Sequence, residues 1–511
     1  MSKAKKIALV LVIVLVLVVV GLAIVIPMLL DVNRYRPQVM AQIQAETGKP
    51  VQIGHLALTI LPQVAIRVDD FSLGNPSGFP TGDFVKAKKI YAVVNASALL
   101  HHKVEITSLE LDDLALNMLE DTHGKWNFEN PPAKAETPAP EPQGGNSASF
   151  TLGVISKLTV VRGQFSAASL LASGAPGPAL MDIRGASIDL SDVNLNAMTT
   201  ASLSRPTSTP SALAALAGLF NTTVYAADST GPEVAQGTLK ADAAQFGPLS
   251  ITKFKSKFRL FPKQAFFDDL DLKCYGGGVT GNLSLDFGGA NLAYGVDAKI
   301  KGVNVAEFLA AFPQAKGMMT GTLDGSAKMK GMVSNAPDPL AGVNGSGQAS
   351  IRNGKMPSLQ LGSNLRTLAK IAGVGPANGD PSSFSSLSAD FRIADARLSS
   401  NKITLVGNGV DVDGSGSMTM AGEGSLDYQG NGSLAAGGKN PLTGVLAGFS
   451  GATYANDKLT FPFTVGGTFA KPKFSLKGGG AGKVGAAPAA VQNDVNVVRG
   501  IAGMFKKKKQ Q

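Results

Sequence analysis

Residues 281–287 read Gly-Asn-Leu-Ser-Leu-Asp-Phe, so Leu283, Leu285 and Phe287 alternate with Asn282, Ser284 and Asp286. A period of two puts the apolar set on one face of a strand and the polar set on the other. Leu292, Tyr294, Val296 and Ile300 keep the same step beyond a Gly-Gly turn, which predicts a hairpin with one oily face. The habit is plainest over 237–476, where short strands follow one another through Gly, Asn and Asp turns. Residues 51–60, 65–73, 89–97 and 104–119 show it earlier, with Leu56, Leu58 and Ile60 in line and turns at Asn75-Pro76 and Pro80-Thr81-Gly82. It resumes from Phe150, with Ile188 and Leu190 in step. Residues 305–313 and 361–373 are the helical exceptions.

Two stretches near the start break the alternation. Residues 7–26 carry no charge and no proline. About 20 apolar residues at ~1.5 Å rise cross a ~30 Å hydrocarbon core. A cleaved signal peptide has a shorter apolar region and a small-x-small site, which IPMLLDVN (26–33) does not offer. The reading is a transmembrane signal anchor over 7–30 with residues 1–6 cytoplasmic. Lys3, Lys5, Lys6 and the amino terminus precede it, Arg34 and Arg36 follow, and the positive-inside bias favours this orientation. Everything after Leu30 then lies on the far side, the periplasm in a bacterium with two membranes. A short helix is expected next, with Asp31 or Asn33 as cap and Pro37 in its first turn. Val39, Met40 and Ile43 share one face, and Thr47-Gly48 with Pro50 behind them gives the stop.

Composition shifts divide the rest. Residues 131–149 are rich in Pro, Ala and Glu, cannot bury enough to fold, and read as a linker. It separates a β module with its capping helix (31–130) from a longer β region (150–477). The latter is interrupted at about 199–232 by a Ser/Thr/Pro-rich insertion around ALAALAGLF. Residues 478–511 form a flexible basic tail whose apolar, lysine-ended tip either touches anionic headgroups or stays solvated.

A one-faced antiparallel sheet must cover its apolar rows. A second sheet, closure of the sheet on itself, or a curled trough filled by something apolar would each do so. From alternation alone an ordinary β-sandwich is the better reading. The 60 glycines suit strong curvature, and the 6% aromatic content leaves a trough less filled by the protein's own side chains.

Charged residues make up 16% of the chain, which argues against a solvated disordered protein. The formal charge is +10, scattered along strands with clusters only at the two ends. Aromatics do not interleave with those clusters, so nucleic acid is not an expected partner. The single cysteine, Cys274, cannot close an intrachain disulfide and reads as a small hydrophobe. His55, His101, His102 and His123 show no metal spacing, and no nucleophile elbow is present. GAGKVG (480–485) matches a dinucleotide fingerprint only formally, since no strand and helix flank it. Asp69-Asp70, Asp112-Asp113 and Asp268-Asp269 are paired carboxylates, but neighbours on a strand point to opposite faces, so they read as turns or strand ends. No catalytic residue, metal site or cofactor is expected, and the chain is not read as an enzyme.

Several segments in order resemble the AsmA family of bacterial envelope proteins. The start, DVNRYRP then TGKPVQIG, carries Asp31, Asn33, Tyr35, Pro37 and Gly48, and LPQVAIRVDDFSLGNPSGF follows. LEDTHGKWNFEN carries a Gly-x-Trp-Asn at Gly124, Trp126 and Asn127. GMMTGTLDGSAKMKG, GSGQASIRNGKM and FPFTVGGTFAKPKFSL are similar to the family's C-terminal region, the last with Pro462, Gly467 and Pro472. The linker, the insertion and the tail are not covered. The resemblance implies a mainly β protein. Its transmembrane helix and short capping helix would lead into a curled antiparallel sheet forming an open, taco-like groove. It also implies an inner-membrane anchor, a periplasmic bulk, and phospholipid acyl chains as cargo in support of outer-membrane assembly. Leu283, Leu285, Phe287, Leu292, Tyr294, Val296 and Ile300 are the expected groove lining. The capping helix would cover an open strand edge beside the membrane and set where lipid enters. The alternative is a non-catalytic, membrane-tethered β scaffold with an envelope protein partner and no lipid cargo.

Overall fold

The computed structural model describes residues 32–60, 63–100, 103–129, 149–150, 154–194, 221–222, 231–313, 315–332, 342–357, 382–407, 410–419, 424–435, 453–456, 458–468 and 471–476. The expected span, the linker but for Ser149, most of the 199–232 insertion, the 361–373 helix and the tail lie outside these residues. Among the described residues no helix is long and apolar enough to cross a membrane.

Strand predominates, as the alternation predicts. In chain order the strands are β1 (Val51–Gln52), β2 (His55–Thr59), β3 (Ala65–Gly74), β4 (Asp83–Val94), β5 (Lys103–Val104), β6 (Ile106–Asp112), β7 (Ala115–Glu120), β8 (Ser149–Phe150), β9 (Val154–Leu170) and β10 (Pro176–Asn194). Then come β11 (Asn221–Thr222), β12 (Ala235–Phe246), β13 (Leu249–Phe261), β14 (Gln264–Cys274), β15 (Gly277–Asp286), β16 (Gly288–Asn304), β17 (Thr320–Met332) and β18 (Asn344–Lys355). The last are β19 (Ser383–Ala394), β20 (Arg397–Gly407), β21 (Val410–Thr419), β22 (Leu426–Ala435), β23 (Thr453–Ala455), β24 (Lys458–Gly467) and β25 (Pro472–Leu476).

All but β5 and β8 join one 23-stranded, curled sheet, where a sandwich would have two. From β12 to β22 each strand pairs antiparallel with the next in sequence. The main departure is β9, which runs parallel to β6 and β7. Parallel neighbours need a crossover of a dozen or more residues. Residues 121–153 separate β7 from β9, a stretch long enough for that return. In three places two strands lie end to end against one neighbour: β1 and β2 on β3, β6 and β7 on β9, β23 and β25 on β24. The two-residue β11 reaches only the start of β16, beyond the last pair of β17, and adds no row. The sheet is therefore about 19 rows across, roughly 86 Å at ~4.8 Å per row.

The helix α1 (Arg36–Thr47) sits at the first edge, preceded by a 3₁₀ turn, Val32–Tyr35. Gly48 stops it in the left-handed region (φ 66°), its N–H bonding the Gln44 carbonyl at 2.8 Å. The N-terminal expectation is corrected: Tyr35, not Asp31 or Asn33, occupies the cap position and makes no side-chain cap bond. Asn33 turns to the sheet instead, its Oδ1 accepting the Leu56 N–H at 3.2 Å. Arg36 Nη1 donates to the Gly54 carbonyl at 2.6 Å. Both backbone groups lie along the outermost strands, where an open edge invites unwanted pairing. Met40, Ile43 and Val32 pack on buried Val51, Ile53 and Leu56, whereas Val39 is exposed rather than sharing that face.

Two of the three aspartate pairs also depart from expectation. Asp70 and Asp269 lie inside strands and Asp113 between β6 and β7, all with positive φ (53°, 51° and 49°). Asp112 ends β6 and Asp113 follows it, as expected of that pair, whereas the other two pairs lie inside their strands, and a break of register accompanies Asp269 alone. Asp70, Asp113, Arg162, Gly185 and Lys253 fall at nearly one level across β3 to β13. A residue in the left-handed region bends its strand, so positive φ values in line crease the sheet. Positive φ also breaks strict alternation. Asp112 and Asp113 consequently reach the same partner, Arg162, whose Nε lies 2.7 Å from Asp113 Oδ1. The hydrogen bond from Arg162 holds the Asp113 carboxyl below the ordinary range, with burial opposing and the charges of Arg162 and Lys88 adding. A lowered native pKa means stability present above the ordinary carboxylate pKa and lost as pH falls through the native value. Parent protein is expected to lose more resistance to urea between about pH 5 and pH 2 than Asp113→Asn, measured as unfolding midpoints. Equal losses would remove the crease ion pair from the account.

One glycine is held by close approach. A Cβ at Gly237 would sit 1.8 Å from the Asp189 carbonyl oxygen, where β12 meets β10. Gly237→Ala is expected to cost about 3 kcal/mol or more, read as a lowered thermal midpoint.

Candidate functional site

Residues opposite one another on neighbouring strands share a face. Followed through the register, one row runs the length of the sheet. It begins with Leu58, Ile66, Ala92 and Leu109 and continues through Leu158 and Leu190. Gly237, Phe258 and Phe267 carry it to Leu283, Val296 and Met329. Gly345, Ile393, Leu398, Met418 and Leu426 finish it. No charged side chain interrupts the row.

Each expected lining residue is on this face or at its end. Leu283 faces Val296, Leu285 faces Tyr294, and Ile300 faces Val279. Phe287 and Leu292 lie just past the last recorded pair, Asp286 with Ala293. All seven are half-buried. Burial pushes the Tyr294 and Tyr428 phenols up. Toward the C-terminal end the protein covers the face itself: Leu459, Phe461, Phe463 and Val465 of β24 are buried.

The opposite face is equally continuous and polar. Asn282, Asp297, Lys328, Ser346, Arg392 and Ser399 face one another in series. Lys328 Nζ pairs with Asp297 at 2.9 Å. Concavities run between these polar rows. One, of about 1160 Å³, includes Lys299, Ser326 and Gln348 in its lining. Sequence reasoning missed these furrows, because their walls belong to strands distant in the chain.

Among the described residues no three His, Cys, Asp or Glu side chains group as a metal site. His55 is an exposed strand residue opposite Asp69, and His123 sits in an exposed turn, 3.9 Å from Asp121. Burial raises the pKa of the Cys274 thiol. His101 and His102 lie outside the described residues.

The model of the AsmA family matches residues 1–151 and 151–403. The chain belongs to the AsmA family. A search of curated proteins and a search of solved structures each returned no match. The AsmA motif positions are structural in this chain. Asn127 is fully buried: its Nδ2 donates to Asn75 Oδ1 and the Asn117 carbonyl, both at 2.8 Å, and its Oδ1 accepts the Leu119 N–H at 3.0 Å. Trp126, 2% exposed, packs in a cluster with Met118, Ala167 and Met181. Gly124, at φ 78°, closes the turn that feeds them. Lys49, behind Gly48, is buried beside the Phe84 ring, and desolvation, then Lys125, pulls its pKa down. Tyr35 stays 45% exposed under the Arg34 guanidinium, and Pro37 sits in the first turn of α1. Pro462 lies between the two outer partners of β24, where a missing N–H disturbs the ladder least. Gly467, at φ 83°, turns the chain to Pro472, its partner in β25. Asp31 lies outside the described residues.

Proposed function

We propose that this protein is an inner-membrane-anchored, periplasmic envelope protein whose apolar sheet face binds and passes on phospholipid, in support of outer-membrane assembly. The observation that carries the reading is the unbroken apolar row, continuous in register from β2 to β22 and only half-buried in its middle strands. Burial of an acyl chain contributes about 0.8 kcal/mol per CH₂. A continuous oily surface therefore lowers the cost of leaving a bilayer without any catalysis. The placement of α1 supports the same reading. It follows the 7–30 apolar segment and bonds the first edge of the sheet, so the row would begin beside the membrane. At roughly 86 Å the sheet serves transfer over part of an envelope, with hand-over to a partner.

A second reading has its own observation. The buried row Leu459, Phe461, Phe463 and Val465 is covered by protein, which favours a dry scaffold at the C-terminal end. The test is two-sided. A photo-crosslinking residue replaces Val296 on the apolar face or Ser326 on the polar face of the full chain in phosphorus-labelled cells. Label captured at 296 and not at 326 is the expected result. Label at neither position, or equally at both, leaves the scaffold.

A further inference from the structure

We propose that one long rim of the sheet, built by the β12–β13, β14–β15 and β16–β17 connections, is a second membrane contact that settles on a bilayer surface rich in anionic phospholipid. It is separate from the cargo face and does not depend on it.

The β12–β13 tip is Phe246-Gly247-Pro248-Leu249, with Phe246 42% and Leu249 37% exposed. Bulky side chains at a hairpin tip bury nothing of their own protein. The next connection is bonded to it: the Ser250 N–H donates to Tyr275 Oη at 3.1 Å, and that hydroxyl donates to the Pro248 carbonyl at 3.4 Å. The third follows in turn, as the Asn304 N–H donates to the Tyr275 carbonyl at 2.8 Å. The Tyr275 ring meets Phe308 edge-on at 5.7 Å, and Phe308 meets Phe312 at 5.5 Å. Phe308 belongs to the short helix Val305–Ala310, and all three rings are half-exposed. Three connections thus form one aromatic strip about 24 Å long, five strand spacings.

Cations frame the strip. Lys253, Lys273, Lys301 and Lys316 are exposed and form no ion pair among the described residues. The acids nearby are engaged or opposed: Glu307 accepts a hydrogen bond from Asn304 Nδ2 at 2.9 Å, and Asp271 faces Lys255 in register. Aromatic side chains at tips with lysines set just behind them are the composition of a bilayer interface, rings at headgroup depth and ammonium groups on the phosphates. Separate projecting tips suit a soft lipid surface better than the flat packed patch of a protein interface.

The test places an indole in the strip. The only tryptophan of the chain, Trp126, is 2% exposed and gives a constant background. Full chain carrying Phe246→Trp is reconstituted in vesicles of phosphatidylglycerol and phosphatidylcholine with brominated acyl chains, which quench an indole that reaches them. Emission of the introduced indole is expected to fall by about a half or more. It recovers at high salt and with Lys273→Gln plus Lys301→Gln. Leu249→Trp is a second reporter, and it decides alone if the first variant does not fold. Val296→Glu leaves the quenching unchanged, which separates this rim from the cargo face. Indifference of both reporters to bromine overturns the proposal, as does equal quenching in purely zwitterionic vesicles.

Discussion

Val296→Glu is expected to cut phospholipid capture on the apolar face at least tenfold while leaving the sheet folded. Val296 stands mid-row between Leu283 and Met329. A carboxylate there breaks the oily path at one point, and an acyl chain laid over it would bury an unpaired charge, at a cost of several kcal/mol. The fold is affected little, because Val296 is only half-buried and the new charge turns toward whatever solvent replaces the lipid. Capture is read at a photo-crosslinking residue in place of Met329, with thermal unfolding as the check on folding. Ser326→Glu, on the opposite face, is the control and should capture as parent does. Undiminished capture in Val296→Glu with an unchanged melting curve would sink the cargo reading and leave a tethered scaffold.

The second large effect is on stability. Trp126→Ala is expected to cost about 3–5 kcal/mol, the range for emptying a buried aromatic site. The cluster around it joins β7, β9 and β10 to the loop that leaves β7, so the loss falls on the parallel step of the sheet. Asn127→Ala attacks the same place by another route. It strands the Leu119 N–H, the Asn117 carbonyl and Asn75 Oδ1 without their partner, at about 1–3 kcal/mol for each group left buried and unpaired. Trp126 itself reports the second variant, since a loosened loop lets water reach the indole and shifts its emission to the red. Urea unfolding gives the magnitudes. Losses under 1 kcal/mol in both variants would mean that the loop is an ornament on the sheet and not a clasp.

Much of this architecture was legible because its rule is local. Alternation at Leu283, Leu285, Tyr294 and Val296 gave the strands, the hairpin and the shared face. Gly48 gave the end of α1 through one backbone conformation. What escaped depends on partners far along the chain. Asn33 reads as a cap by residue type, yet an unpaired N–H at Leu56 outcompetes the helix for its oxygen. The aspartate pairs obey period two only while the strand is regular, and positive φ at Asp70, Asp113 and Asp269 suspends the rule. Asn75 showed itself as a turn residue, but its tie to Asn127 spans 52 positions and leaves no local trace. The end-to-end strands shortened the sheet for the same reason, since two strands that share a row look like two rows in sequence. The resemblance to AsmA proteins rested on motifs such as Gly124, Trp126 and Asn127, and these proved to hold the scaffold together. The oily face is drawn by ordinary Leu, Val and Ile, which no motif singles out.

From β13 to β21 each strand pairs with its predecessor and its successor, and among the described residues β16 alone takes a third partner, the two-residue β11. A β architecture usually folds slowly because distant segments must find one another; here each hairpin can dock as soon as it is available, on a template already in place. The same nearest-neighbour wiring makes length an adjustable quantity. Two strands added or removed within the series would leave the other hairpin pairings intact, so evolution can set the length of such a sheet as one trims a ruler.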